Sequence, residues 1–260
     1  MGFLSLALAA ACATAPYTKR SQFIVVSEAE EVQLGADAYQ EVLKQEKVSH
    51  DPQLVGVVRD VGTRIARVAE KPNYQWQFSV IDDRRQANAF ALPGGKVAVY
   101  TGLLPIAQDT GGLATVMGHE VAHALAHHAA ERMSQGVLFQ VIGTGLSVAL
   151  GSQTPAAREA IMQAFGLGAQ VGVILPFGRT QEAEADRIGL ILMAQAGYDP
   201  HAALGLWERF EAVGKGAPPE FLSTHPSYGT REKNIRSWMP EAMGYYRPDA
   251  SATIVPLPQR

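Results

Sequence analysis

Hydrophobic and polar positions along this chain repeat with two periods, and the switches between them mark its elements. From Ser27 onward, Val32, Leu34, Ala38, Tyr39, Val42 and Leu43 form the apolar face of a helix. Ser27 caps it, and Glu28, Glu30 and Glu31 suit the positive end of the helix dipole. Asp51-Pro52 is an N-cap and first-turn pair that opens a second helix to about Glu70. Its core stripe is Leu54, Val57, Val58, Val61, Ile65 and Val68. The period then drops to two, with Tyr74, Trp76, Phe78 and Val80 on one face of a strand over Asn73–Ile81. Asp82-Asp83-Arg84-Arg85 is a polar turn, Asn88–Leu92 a short strand, Pro93-Gly94-Gly95 a turn and Lys96–Tyr100 a further strand. These predict a small antiparallel sheet.

The helical period then returns. Thr101–Ala107 opens a short helix, and Gly111-Gly112 leads into a long one over Leu113–Arg132. That helix has no Pro, its one Gly is Gly118, and Ala, Val, Leu and Met fill most of it, so it is largely buried. Ser134–Leu150 and Thr154–Leu175 read as two apolar core helices, with membrane contact or a cover over a cleft as the alternative. Each is too short or too interrupted by polar residues for a span. Asp199-Pro200 starts a helix through about Val213, Gly214–Pro219 is a loop, and Tyr228–Trp238 is the last helix. Pro240–Arg260 reads as an extended, partly disordered tail.

The buried helix carries His119-Glu120-Val121-Ala122-His123. Positions i and i+4 share a helix face, so both imidazoles can reach one metal ion, and Glu120 can act as general base toward a water at the open position. A catalytic zinc site needs a third protein ligand. Glu182 and Asp186 supply a carboxylate pair at i and i+4 on a downstream helix, while Glu184 points away from both. Glu182 is assigned to the metal and Asp186 to the ring N–H of a ligand histidine, whose tautomer it would fix; the reverse order is open. Glu184 reads as a solvated side chain or a partner of Arg179 or Arg187. His127 reads as a polar-network residue, because a straight helix carries it a turn beyond the ion; His128 has no role that spacing supplies. His50 and His201 flank Asp-Pro helix starts and read as surface residues, and His225 stands in a turn before the last helix.

Composition limits the remaining classes. The chain has 260 residues, 47% hydrophobic and 18% charged, with a net charge of −3. That suits one globular domain with a substantial core, and without a strongly basic cluster it excludes nucleic acid as a partner. The single cysteine, Cys12, ends an apolar run from Gly2 to Ala11 that is too short for a span and resembles a secretion signal. Leu8-Ala9-Ala10-Ala11-Cys12 resembles a lipobox, although Ala9 stands where Leu is usual and no Lys or Arg precedes the run. The other reading is a plain cleaved signal with an incidental cysteine. Either way export to the periplasm is expected, without an internal disulfide. Ala13-Thr14 lack Asp, which for a lipid anchor on Cys12 implies the outer membrane. The resulting division is residues 1–12 signal peptide with lipobox, 13–26 tether, 27–239 the domain that carries the candidate zinc site and 240–260 C-terminal tail.

Four motifs occur in order: "NAFALPGGKVAVYTGLL" from Asn88, "GHEVAHALAHHAAERM" from Gly118, "RTQEAEADRIGL" from Arg179 and "STHPSYGTRE" from Ser223. Together they resemble the gluzincin metallopeptidases, and within them peptidase family M forty-eight, which includes HtpX, the CAAX prenyl endoprotease and periplasmic members of the BepA and LoiP type. The resemblance spans roughly Glu28–Met239 and implies an α+β fold: a mostly helical zincin-like domain whose small antiparallel sheet lays an edge strand along the active-site cleft. It implies one Zn2+ per chain on His119, His123 and Glu182, with Glu120 as general base. It places Asn88 and Ala89 on the edge strand that pairs with an extended substrate. His225 would either donate to the oxyanion or occupy the open zinc position and hold the enzyme latent, and Arg231 would pair with a cleft carboxylate or stabilise the intermediate. The function implied is endopeptidase cleavage of unfolded or misfolded envelope proteins, in contact with outer-membrane assembly machinery. A chaperone or assembly factor with a latent protease site is the alternative; a metal-storage role for the helix histidines leaves Glu120 unexplained.

Overall fold

The structure is a computed structural model that describes residues 12–135, 178–214, 219–225, 230–249 and 251–258. The two apolar helices expected over 134–175 and the signal-like run ending at Ala11 lie almost wholly outside these residues.

Helix α1 (Glu28–Gln45) begins with a reciprocal cap: the Ser27 side chain accepts from the Glu30 N–H, and the Glu30 carboxylate accepts from the Ser27 N–H. Helix α2 (Pro52–Val68) begins where the Asp51 carboxylate accepts from Gln53 and Leu54. Strands β3 (Gln77–Ile81), β4 (Ala89–Leu92) and β5 (Lys96–Tyr100) form one sheet in the order β3–β5–β4. β4 and β5 are an antiparallel hairpin, closed by Gly94 and Gly95 at φ 83° and 82°. β3 pairs with β5 in parallel. The sheet is therefore mixed and not antiparallel throughout. Alternation along a strand shows which side chains share a face, but not the direction of the neighbouring strand. β4 is an edge strand.

After a 3-10 turn (Thr101–Leu103) and α3 (Leu104–Ala107), helix α4 (Thr110–Leu125) runs through the centre with every residue buried. β4, α2, α5 (Arg179–Gln195) and α6 (Ala202–Gly214) surround it. α4 and α5 cross at Gly118 and Gly189, where a side chain on either would meet the other's backbone at 2.9 Å. The sequence predicts one helix through Arg132, but the chain turns at 126–127, with His127 left-handed at φ 53°, and is helical again over 128–135. The break swings His127 onto Glu31 of α1, at 2.6 Å.

Two segments expected to be loose are docked. Residues 12–23 form a hairpin of β1 (Cys12–Thr14) and β2 (Ser21–Phe23), with Cys12 opposite Phe23. Ala15 is fully buried, and Arg20 pairs with Glu131 and Glu184 at 2.7 Å each. The 13–26 segment is therefore part of the domain and not a tether; its partners lie more than 100 residues away, beyond the reach of local composition. The last helix, α8 (Arg231–Tyr245), continues through Pro240 past the expected boundary at Met239. The tail then returns to the start of α4: Thr110 donates to Val255, Leu257 donates to Gln108, and Leu257 is buried. Among the described residues no helix is long and apolar enough to cross a membrane.

Candidate zinc centre

Three helices and one short turn build the site. α4 contributes His119, Glu120 and His123 one turn apart; α5 contributes Glu182 and Asp186; α7 (Glu220–Thr224) ends on His225; and Arg231 opens α8. All of these side chains are buried. His119, His123, Glu182 and His225 each offer one ligand atom, all within 4.8 Å of one another.

The spacing fits a zinc ion. Ligands about 2.0–2.1 Å from a tetrahedral zinc lie roughly 3.3–3.4 Å from each other. His123 Nε2 is 3.1 Å from His119 Nε2 and 3.3 Å from Glu182 Oε1, and His119 Nε2 is 3.5 Å from Glu182 Oε2. The donor chemistry points the same way. His119 Nδ1 lies 2.9 Å from Asp186 Oδ1. A carboxylate only accepts, so Nδ1 carries the proton and Nε2 turns a lone pair inward. A lone pair facing a carboxylate across 3.5 Å calls for a cation between them.

Burial alone would raise Glu182, but His225, His123 and His119 around it override that and hold it well below the ordinary carboxylate range, as a ligand requires. His123 is held well below its ordinary value by burial, against the opposing pull of Glu182, so it stays neutral. Glu120 is pushed up by burial, only partly offset by His225 and His119. A raised carboxylate is matched to taking and returning a proton near neutral pH. His225 turns Nδ1 toward the ligands, 2.9 Å from Glu182 Oε1 and 3.2 Å from His119 Nε2, and Nε2 toward Glu120 Oε1 at 3.4 Å. Its ring stacks on Phe221 with centroids 4.6 Å apart.

The family profile described as Peptidase family M48 matches residues 52–239. The chain belongs to Peptidase family M48. As an M48 member with this donor set it is a zinc metalloendopeptidase. Among its relatives, "Mitochondrial metalloendopeptidase OMA1" of Schizosaccharomyces pombe is 40% identical over 235 residues, covering 87% of this chain and 66% of that protein. The Saccharomyces cerevisiae protein of the same name is 32% identical over 89% of this chain and 70% of its own length. The "Beta-barrel assembly-enhancing protease" of Escherichia coli is 28% identical over 91% of this chain and 49% of its own. The chain thus spans about two thirds of the yeast relatives and half of the bacterial one. Over the aligned residues its identity to the two yeast proteins is higher than to the bacterial one.

Within this M48 site Arg231 lies behind the carboxylates: its Nη2 is 2.7 Å from Asp186 Oδ1 and 3.2 Å from Glu182 Oε2, and its guanidinium lies 3.4 Å over the Trp207 ring. Asn88 and Ala89 stand at the start of β4, which packs on α4, and both are buried. The preceding Ala87 carbonyl accepts from the Phe221 N–H, tying the strand to the turn that carries His225. Glu184 is buried, against the expected solvated reading, and its arginine partner is Arg20 of the hairpin, while Arg187 pairs with Glu241. His128, beside His123, is the other residue that sequence reasoning left without a role. Its position depends on the break at 126–127, for which the sequence carries no Pro or Gly signal.

Proposed function

We propose that this metalloendopeptidase cleaves extended segments of unfolded or misassembled envelope proteins, and that His225 holds it latent by occupying the fourth corner of the zinc site. The observation that carries the gating is the position of His225 Nδ1, 2.9 Å from Glu182 and 3.2 Å from His119, the spacing of a fourth ligand. Of the two roles open to this imidazole, that geometry favours gating over oxyanion donation in the state described. His225 caps the end of α7, and moving it away opens the corner.

When bound, zinc supplies a Lewis acid and lowers the pKa of water toward neutrality. With His225 withdrawn, Glu120 takes the proton of the attacking water and returns it to the leaving amine. Asp186 holds His119 in its ligand tautomer, and Arg231 offsets the charge of Glu182 and Asp186. Edge strand β4, entered at Asn88 and Ala89, offers backbone pairing to an extended peptide, which gives affinity without a sequence requirement. Substrates among envelope proteins are supported by the signal-like run, by Cys12 and by the bacterial relative's name. A lipid on Cys12 would sit directly on the docked hairpin and hold the domain against the periplasmic face of the outer membrane, close to assembly machinery.

The test is zinc content and cleavage of reduced casein by wild type, Glu120→Gln and His225→Ala. One zinc in each, no cleavage by Glu120→Gln and faster cleavage by His225→Ala is expected. Slower cleavage by His225→Ala would make His225 an oxyanion donor and end the gating reading.

A further inference from the structure

We propose that Glu184, acting through His128, positions His123 as a zinc ligand, and that Arg20 and Thr18 of the N-terminal hairpin hold Glu184 for this task. The argument starts at the carboxylate. Glu184 Oε2 lies 3.0 Å from His128 Nε2. An ionised carboxylate only accepts, so His128 Nε2 carries a proton, and in a neutral ring Nδ1 is then an acceptor. His128 Nδ1 lies 2.8 Å from His123 Nδ1. His123 must therefore donate from Nδ1, which leaves its Nε2 as the lone pair facing the metal position. His119 obtains the same result directly from Asp186. The two zinc histidines are thus oriented by two carboxylates of one helix, α5, one directly and one through an intervening imidazole.

The outer end of the chain is also built. Arg20 Nε lies 2.8 Å from Glu184 Oε2, and the guanidinium's other edge meets Glu131 with two contacts of 2.7 and 2.8 Å. The Thr18 hydroxyl donates to Glu184 Oε1. Gln181 donates to Glu131 at 2.8 Å, so the second carboxylate is held too. Buried charge persists only when paired in this way. An N-terminal hairpin far upstream of the zinc motif therefore fixes the orientation of one of its ligands. This inference rests on the zinc centre alone and not on the choice of substrate or on gating by His225.

The test measures zinc dissociation constants of the intact protein by chelator competition, for wild type, His128→Leu, His128→Gln and Arg20→Gln. Loss of a partner that orients a ligand weakens metal binding about 10–100-fold, which is the result expected for His128→Leu. Glutamine can accept from His123 through its carbonyl and donate to Glu184 through its amide, so His128→Gln should retain most of the affinity. Arg20→Gln should weaken binding in the same direction by less. Equal loss in the Leu and Gln variants, or no loss in either, overturns the proposal; unchanged affinity in Arg20→Gln removes the hairpin from it. A second measurement needs no variant: 15N spectra of zinc-loaded wild type should show His128 protonated at Nε2, toward Glu184, and unprotonated at Nδ1, toward His123. Protonation of His128 at Nδ1 would overturn the proposal even if a variant failed to fold.

Discussion

The crossing of α4 and α5 at Gly118 and Gly189 sets the distance between the zinc histidines and their carboxylate partners, and Gly189→Ala tests it. A Cβ at position 189 would stand 2.9 Å from the His119 backbone nitrogen and 3.0 Å from its Cα. These are backbone atoms of a ligand residue and cannot rotate away. Carbon contacts become favourable near about 3.5 Å, so α5 must retreat by roughly 0.5 Å. Glu182 and Asp186 move with it. Metal sites tolerate only about 0.2 Å in ligand distance. A 1 Å misplacement costs about a hundredfold in turnover, so half of that predicts about a tenfold loss. In stability, overpacking costs about 1–3 kcal/mol, against which the helix-propensity gain of alanine over glycine is about 1 kcal/mol. Gly56→Ala is the control: Gly56 is exposed in α2, with nothing within 4 Å of its Cβ position. It should gain about 0.5–1 kcal/mol and leave zinc binding unchanged. The assay is the rate of casein cleavage, zinc affinity by chelator competition and urea unfolding on the three proteins. If Gly189→Ala binds zinc like wild type and is stabilised as much as Gly56→Ala, the reasoning about this crossing is wrong.

Three further outcomes are expected. Leu257→Ala should cost about 2–5 kcal/mol in urea unfolding, because Leu257 is 2% exposed and anchors the tail on the start of α4; a loss below about 0.5 kcal/mol, the scale of a surface change, would show the tail detached in solution. Arg231→Met should cost about 3–5 kcal/mol by leaving buried carboxylates uncompensated. The cost should be larger in chelated than in zinc-loaded protein, since the ion offsets Glu182, and an equal cost in both states would count against the shared carboxylate cluster. Zinc withdrawal should lower the Tm, with about 4 kcal/mol at stake when free zinc is a thousand times its Kd; a Tm indifferent to chelator would argue that the four inward donors do not hold a metal.

The zinc motif and its carboxylate helix were legible because their logic is local. His119 and His123 share a face through the 3.6-residue repeat, as do Glu182 and Asp186, and the caps at Ser27 and Asp51 are single-residue signals that the helices obey. The order of the strands, the parallel pairing of β3 with β5 and the crossing at Gly189 were not legible, because each depends on which distant backbone arrives alongside. Glu184 shows the division within one helix. The sequence suggested a solvated side chain or a partner of nearby Arg179 or Arg187, and the fold gave it the distant Arg20 and His128. By itself the sequence determined which residues could bind the metal, since side-chain chemistry and helical period are properties of the chain. Asp186 could be read as a partner of a ligand histidine from its helical spacing, but only the tertiary structure decided that Glu184 and His128 stand behind His123: a buried hydrogen-bond chain exists only where the folded backbone brings donor and acceptor within about 3 Å.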